Sequence, residues 1–215
     1  MKDLNGIKNI IFDFGGVIID IDFWLSINAF IKLGAKDFDE IYSQSQQSGL
    51  FDELDTGNIR VNEFCEALKK YLPNNVTDQQ IIDAWNAILI GIPEHRIRLL
   101  ELIRKHYRIF LLSNTNSIHY PEYIKDMKQK YGYNDLLELF EKVYLSFEVG
   151  MRKPDIAFYK LVMDVNDLIP EETLFIDDSE QNLSPAASLG IRTFFLDKGT
   201  DVSMLFDDIG YLKGF

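Results

Sequence analysis

Four short stretches of the 215-residue chain carry side chains suited to work on a charged ligand. The apolar run Ile10-Ile11-Phe12 leads into Asp13-Phe14-Gly15-Gly16. An ionised carboxylate at the end of a buried strand is costly unless a cation meets it, and the two glycines let the backbone turn and come close to a ligand. Arg108-Ile109-Phe110-Leu111-Leu112 leads into Ser113-Asn114-Thr115-Asn116. Val143-Tyr144-Leu145 precedes Gly150-Met151-Arg152-Lys153-Pro154, and Thr173-Leu174-Phe175-Ile176 leads into Asp177-Asp178-Ser179. Asp13 and the later Asp pair offer hard oxygen ligands of the kind Mg²⁺ takes, leaving room for water and phosphate oxygens. A Lys and a helix-opening Ser with free backbone N–H groups suit the phosphate itself. Singly, each piece has an ordinary explanation: Ser-Asn and Asp-Asp-Ser are common helix N-caps, and a Lys before Pro usually lies in solvent. Their order on successive strands points to a phosphoryl-transfer site.

The elements that must position these residues follow from the hydrophobic pattern. Helical spacing covers residues 23–33, ending at Gly34, and a more polar segment at 37–46. Residues 50–57 read as a turn. An amphipathic helix follows at 61–72, and Thr77-Asp78-Gln79-Gln80 has the form of a capping box opening a helix to residue 90. Residues 21–90 thus form an all-helical insertion with no convincing strand. Beyond it, helices at 93–107, 120–131, 154–165 and 182–189 alternate with the strands already named and a fifth at 191–195. Strands alternating with helices imply crossovers and a parallel sheet covered on both faces, with ligands at the carboxyl ends of the strands. The expected fold is α/β, a Rossmann-like parallel sheet core formed by residues 1–20 and 91–215 with a small all-helical domain, 21–90, inserted into it.

Composition narrows the partners. The net charge of −12 and a pI near 4.7 oppose binding to nucleic acid or to an anionic membrane surface. No apolar run approaches the ~18 residues of a membrane span, and the first residues do not form a signal peptide, so a cytoplasmic protein is expected. The lone Cys65 lies among apolar helical positions, where a buried inert thiol is the expected role. The expected partner is a small phosphorylated metabolite, and the expected state a monomer or weak homodimer.

The four motifs resemble those of the haloacid dehalogenase superfamily, and the helical insertion sits where that superfamily places its first-type cap domain. The nearest branch in appearance is the small sugar-phosphate phosphatases similar to alpha-D-glucose-1-phosphate phosphatase. The resemblance implies a Mg²⁺-dependent phosphatase in which Asp13 attacks phosphorus and becomes an aspartyl-phosphate. It implies that the Asp13 carboxylate, the Gly15 carbonyl and Asp178 hold the metal, with Asp177 orienting metal-bound water. Ser113 and the backbone N–H of Asn114 would bind phosphate oxygens, and Lys153 would bridge Asp13 and the phosphate.

The chain departs from the usual phosphatase pattern at Gly15, where most members carry the Asp that protonates the leaving oxygen. General acid–base catalysis typically contributes ~10²–10⁴-fold, so its loss must be met by another group or by an easier leaving group such as an anomeric oxygen. Asp20, Asp22 and His119 are the candidates near the site edge, each with an ordinary surface or capping role as the alternative. Gly15 also keeps open a catalytically weak homologue that binds phosphate and metal for sensing or regulation. Dehalogenation is disfavoured by the Asp177-Asp178 pair, and phosphomutase activity by the missing acid. In the cap, Trp24, Phe30, Tyr42, Phe51, Phe64 and Trp85 are expected to pack its small core, and polar side chains around 44–57 to face the cleft. His95 and His106 are expected in solvent.

Overall fold

The structure, a computed structural model, describes residues 4–35 and 49–214. Its frame is a sheet of five parallel strands: β1 (Asn9–Phe12), β4 (Arg108–Ser113), β5 (Lys142–Leu145), β6 (Thr173–Asp177) and β7 (Arg192–Phe195), in the spatial order β5-β4-β1-β6-β7. β1 is central, with Phe12 level with Leu111 on one side and Ile176 on the other. Alternate side chains enter two different cores, as a strand's two-residue period requires. Ile10, Phe12, Leu111 and Ile176 face one, and Ile11, Phe110, Leu112 and Phe175 the other. Helices α5 (Glu94–Ile103) and α6 (His119–Tyr131) cover the first face; α8 (Ile156–Val165) and α9 (Glu180–Ser188) cover the second. A short helix, α7 (Ser146–Val149), follows β5. No helix among the described residues is long and apolar enough to cross a membrane.

Between β1 and β4 the chain builds α1 (Phe23–Lys32), α2 (Leu50–Asp55), α3 (Val61–Lys69) and α4 (Asp78–Asn86). These helices share a core of their own. Phe51 stacks on Trp85 with ring centroids 4.9 Å apart, Phe64 packs edge-on to Phe51, and Cys65 is buried beside them. The capping box at Thr77 and Gln80 is present. The polar helix expected at 37–46, and Tyr42 with it, lies outside the described residues.

Three expectations need correction. Residues 50–55 are a helix rather than a turn; Phe51 and Leu54 bury one face, and tertiary packing overrides the local turn signal. The insertion is not free of strands, because β2 (Asp20–Ile21) and β3 (Leu89–Gly91) pair antiparallel where the chain leaves and re-joins the sheet. Trp24 is 66% exposed and takes no part in the helical core, since α1 turns Ser26 and Phe30 inward instead.

Candidate active site

At the carboxyl edge of the sheet the four motifs meet. Asp13 follows β1, and its backbone N–H donates to the Ile176 carbonyl at 2.9 Å, which sets it level with the end of β6. Lys153, 2% exposed, donates from Nζ to Asp13 Oδ1 at 2.6 Å and to Asp177 Oδ2 at 2.7 Å. Its loop is tied to the loop after β4 by a reciprocal pair: the Lys153 N–H donates to Asn114 Oδ1 at 2.8 Å, and Asn114 Nδ2 donates to the Lys153 carbonyl at 2.9 Å. Ser113 ends β4 and is buried. The Ser146 hydroxyl, at the start of α7, accepts from Thr115 N–H and donates to the Thr115 carbonyl, which braces the same loop.

The two acids after β6 differ in character. Asp177 is fully buried; Ser179 N–H and the Asn182 amide donate to Oδ1, while Lys153 and Asn182 reach Oδ2. Asp178 is exposed and lies against Gly16, whose φ of 73° and missing Cβ make the contact possible; a Cβ there would collide with the Asp178 carboxylate. Oxygens of Asp13, Asp177 and Asp178 all lie within 4.8 Å of one another. Burial pushes the Asp13 carboxyl upward against the pull of Lys153, and Asp177 and Asp178 add to the push. Burial alone would lower the Lys153 ammonium, but Asp13 and Asp177 outweigh it and hold it above its ordinary value. Three carboxylates beside one ammonium leave an excess of negative charge among hard oxygen donors, a set that fits a divalent cation such as Mg²⁺.

Beside this cluster opens a cleft of about 370 Å³ between the sheet edge and the inserted helices. Gly15, Ser113, Asn114 and Asn116 form its floor, and Phe51, Asp52, Asp55, Trp85, His119 and Arg152 are among its walls. A larger cleft of about 720 Å³, around Lys8, Arg104 and Arg108, lies at the opposite ends of the strands, away from the carboxylate cluster. The helical unit docks over the site through polar contacts. Asn116 Nδ2 donates to Asp55 Oδ1 at 3.0 Å, Asp52 pairs with Arg152, and Asn86 meets His119.

The three sequence candidates for the missing acid are otherwise engaged. Asp20 pairs with Arg96 at 2.7 Å, and Asp22 caps α1 through Trp24 N–H. His119 does line the cleft, but its ring stacks on Trp85 with centroids 5.2 Å apart, and its Nδ1 lies 2.8 Å from Asn86 Oδ1. Burial pushes its pKa down to about 3, so it is neutral at physiological pH. An unfolded chain would take up this proton near the ordinary value of about 6.5, so His119 costs stability as the pH falls below that value. His119→Gln removes the penalty. Its unfolding free energy relative to wild type should therefore shift in the variant's favour by about 1.5 kcal/mol between pH 6.5 and pH 5; urea titrations at the two pH values measure this, and equal offsets would mean that the imidazole is not held neutral. His95 pairs with Asp201, and His106 stacks on Tyr211 at the surface.

Asp52 and Asp55, within the stretch 44–57 expected to present polar side chains to the cleft, do line it; sequence reasoning singled out neither of them and missed Arg152 and Asn182 as members of the site. Arg152 stands inside Gly150-Met151-Arg152-Lys153-Pro154, and Asn182, three residues past Asp177-Asp178-Ser179, could have been found by extending that motif. Asp55 lies in the segment read as a turn, and nothing local announces its contact with Asn116.

The profile of the haloacid dehalogenase-like hydrolase family matches residues 7–190. The chain belongs to this family of hydrolases. It is 35% identical over 200 residues to D-ribitol-5-phosphate phosphatase of Bacteroides thetaiotaomicron, covering 91% of this chain and 94% of the relative. Among solved structures it superposes on a family enzyme from Bacteroides thetaiotaomicron in complex with magnesium and inorganic phosphate. That match has a TM-score of 0.87 and 38% identity, and covers 94% of this chain and 100% of the other. It also superposes on a family hydrolase from Porphyromonas gingivalis, with a TM-score of 0.77, 34% identity, and coverage of 90% and 93%.

Proposed function

We propose that this hydrolase is a Mg²⁺-dependent phosphatase acting on a small sugar or polyol phosphate through an aspartyl-phosphate on Asp13. The observation that carries the reading is the buried bridge from Lys153 to Asp13 and Asp177 with Asp178 alongside, all at one sheet edge beside a cleft. Asp13 is the nucleophile. Ser113 and Asn114 receive phosphate oxygens, and the Lys153 ammonium holds Asp13 in line while balancing charge that develops on the phosphoryl oxygens. The Asp13 carboxylate, the Gly15 carbonyl and Asp178 would hold Mg²⁺, which supplies charge neutralisation between the nucleophile and the phosphate. The oxygens of Asp177 are already taken by Lys153, Asn182 and Ser179 N–H, which suits a carboxylate that orients others rather than one that ligates.

For the substrate, the cleft size and its mix of aromatic and polar walls suit a molecule with several hydroxyls. The inserted segment 21–90 acts as the cap that closes over it. D-Ribitol 5-phosphate, the substrate in the relative's name, is the ester of a primary alcohol, and this favours that class over anomeric phosphates.

Phosphate release from D-ribitol 5-phosphate, other sugar 5- and 6-phosphates, glucose 1-phosphate and p-nitrophenyl phosphate tests the proposal. Turnover should require Mg²⁺, stop with chelator, and be more efficient on a sugar or polyol phosphate than on p-nitrophenyl phosphate. Gly15 favours one second reading, a phosphate- and metal-binding homologue with a regulatory role. Binding of Mg²⁺ and phosphate without turnover of any ester would establish that reading instead.

A further inference from the structure

A primary alcohol is a poor leaving group, so a phosphatase with glycine at position 15 must draw the proton from elsewhere. Resting on the phosphatase reading above, we propose that Asp55, at the C-terminal end of α2, donates the proton to the leaving oxygen. Attack by Asp13 comes from the sheet edge, and in-line displacement places the leaving oxygen on the far side of phosphorus, toward the inserted helices. Asp55 stands on that wall of the cleft.

Its placement is fixed from the floor of the site. Asn116, three residues beyond Ser113, accepts from Ile118 N–H and His119 N–H through Oδ1, and this turns its Nδ2 toward Asp55 Oδ1 at 3.0 Å. Among the described residues no donor holds the second carboxyl oxygen of Asp55, which leaves it for a proton. The other titratable side chains on the cleft do not serve. Asp52 and Arg152 are paired with each other, His119 is neutral with Nδ1 engaged, and the Tyr123 hydroxyl is driven upward by burial. Burial pushes the Asp55 carboxyl up to about 6 against the hydrogen bond from Asn116 and the charge of Arg152, with Asp52 of its own helix adding a smaller push in the same direction. A carboxyl in that range can give up a proton and regain it near neutral pH.

In the first step the Asp13 oxygen–phosphorus bond forms and the bond from phosphorus to the leaving oxygen breaks. The electron pair stays on the leaving oxygen, which takes the Asp55 proton and departs as the alcohol. In the second step water attacks phosphorus, the Asp13 oxygen–phosphorus bond breaks, and the water's proton passes to the Asp55 carboxylate, which restores the starting state.

Asp55→Asn tests the first step, because an amide oxygen still accepts from Asn116 but the side chain has no acidic proton to give. Single-turnover release of leaving group is measured for two esters: p-nitrophenyl phosphate, whose leaving group needs no protonation, and the primary-alcohol phosphate that wild type turns over fastest. Alcohol release should slow about 10²–10³-fold while p-nitrophenol release changes less than about threefold. Asp55→Glu should recover at least about tenfold of the lost alcohol rate, and Asp55→Asn, which removes a carboxyl whose ionised form burial penalises, should keep a wild-type or higher thermal midpoint. Equal losses on the two esters, or an unchanged alcohol rate, would overturn the role of Asp55. A wild type that releases neither leaving group would instead overturn the phosphatase reading on which it rests.

Discussion

Asp13→Asn should lower turnover of p-nitrophenyl phosphate by at least about 10⁴-fold while leaving the fold intact. The substitution keeps the shape of the side chain and an oxygen for the Lys153 ammonium, which now donates to Asp13 Oδ1 at 2.6 Å. It removes only the negative charge and the nucleophilic electron pair. Because burial drives the Asp13 carboxyl above its ordinary value, the fold penalises its ionised form. That penalty is absent below the unfolded carboxyl range, near pH 4, and grows as the pH rises toward neutrality. Without divalent ion, the thermal midpoint of Asp13→Asn should therefore equal or exceed that of wild type between pH 7 and 8. p-Nitrophenolate needs no proton, so this ester isolates the nucleophile from whichever group serves as acid. Acid-quenched wild type should carry a phosphoryl adduct on Asp13 by mass spectrometry, absent from the variant. Residual activity above about one part in a hundred would be far more than removal of a nucleophile leaves, and would point to direct attack by water.

The sheet and the four motifs were legible because both rest on strong local signals. Ile10 to Phe12, Phe110 to Leu112 and Leu174 to Ile176 are continuous apolar runs, and they are continuous because each strand feeds one core on either face. Parallel strands put every motif on one edge, so the meeting of Asp13, Lys153 and Asp177 follows from topology once the strands are placed. The polar character of the cleft's second wall was legible in the stretch 44–57, but its helical form and the residue on it that meets Asn116 were not. α2 has six residues, follows Gly49 with a φ of 70°, lacks a side-chain N-cap and runs out through Asp55 into Thr56-Gly57, all of which read as a turn. It is helical because Phe51 and Leu54 are buried among Phe64, Cys65 and Trp85, a consequence of packing between segments distant in sequence. Gly57, where a Cβ would collide with the Phe147 carbonyl, lets the end of that helix lie close against α7. Position 55 faces the site only through Asn116, 61 residues away, and no periodicity spans that distance. His119 misled for a related reason. It stood among polar residues at a helix start, yet Trp85 covers it and removes it from acid–base chemistry.

The same geometry makes Lys153→Met the most damaging change to stability in the site. Asp13 is 8% exposed and Asp177 fully buried, and the Lys153 ammonium lies between them at 2.6 and 2.7 Å. Methionine matches the length of the stem but leaves two buried carboxylates facing each other. Removing one partner of a buried ion pair typically costs about 3–5 kcal/mol, because the remaining charge has lost its compensation. For a chain of this length each kcal/mol moves the thermal midpoint by about 2–4 °C, so a fall of roughly 6–20 °C is expected without divalent ion. Added Mg²⁺ should restore part of it, since a cation beside Asp13 and Asp178 supplies some of the missing positive charge; no recovery with Mg²⁺ would argue against a metal at this cluster. Turnover of p-nitrophenyl phosphate with saturating Mg²⁺ should still fall about 10²–10³-fold, the usual cost of removing a group that stabilises transition-state charge. A rate within tenfold of wild type would confine Lys153 to holding the fold. Arginine should not rescue, because Nζ reaches both carboxylates from one point with the Phe175 ring 5.5 Å away, and a planar guanidinium needs more width than that position offers. Lys153→Arg should therefore remain at least tenfold below wild type in turnover even where its charge recovers stability, which separates the placement of the ammonium from the mere presence of a positive charge.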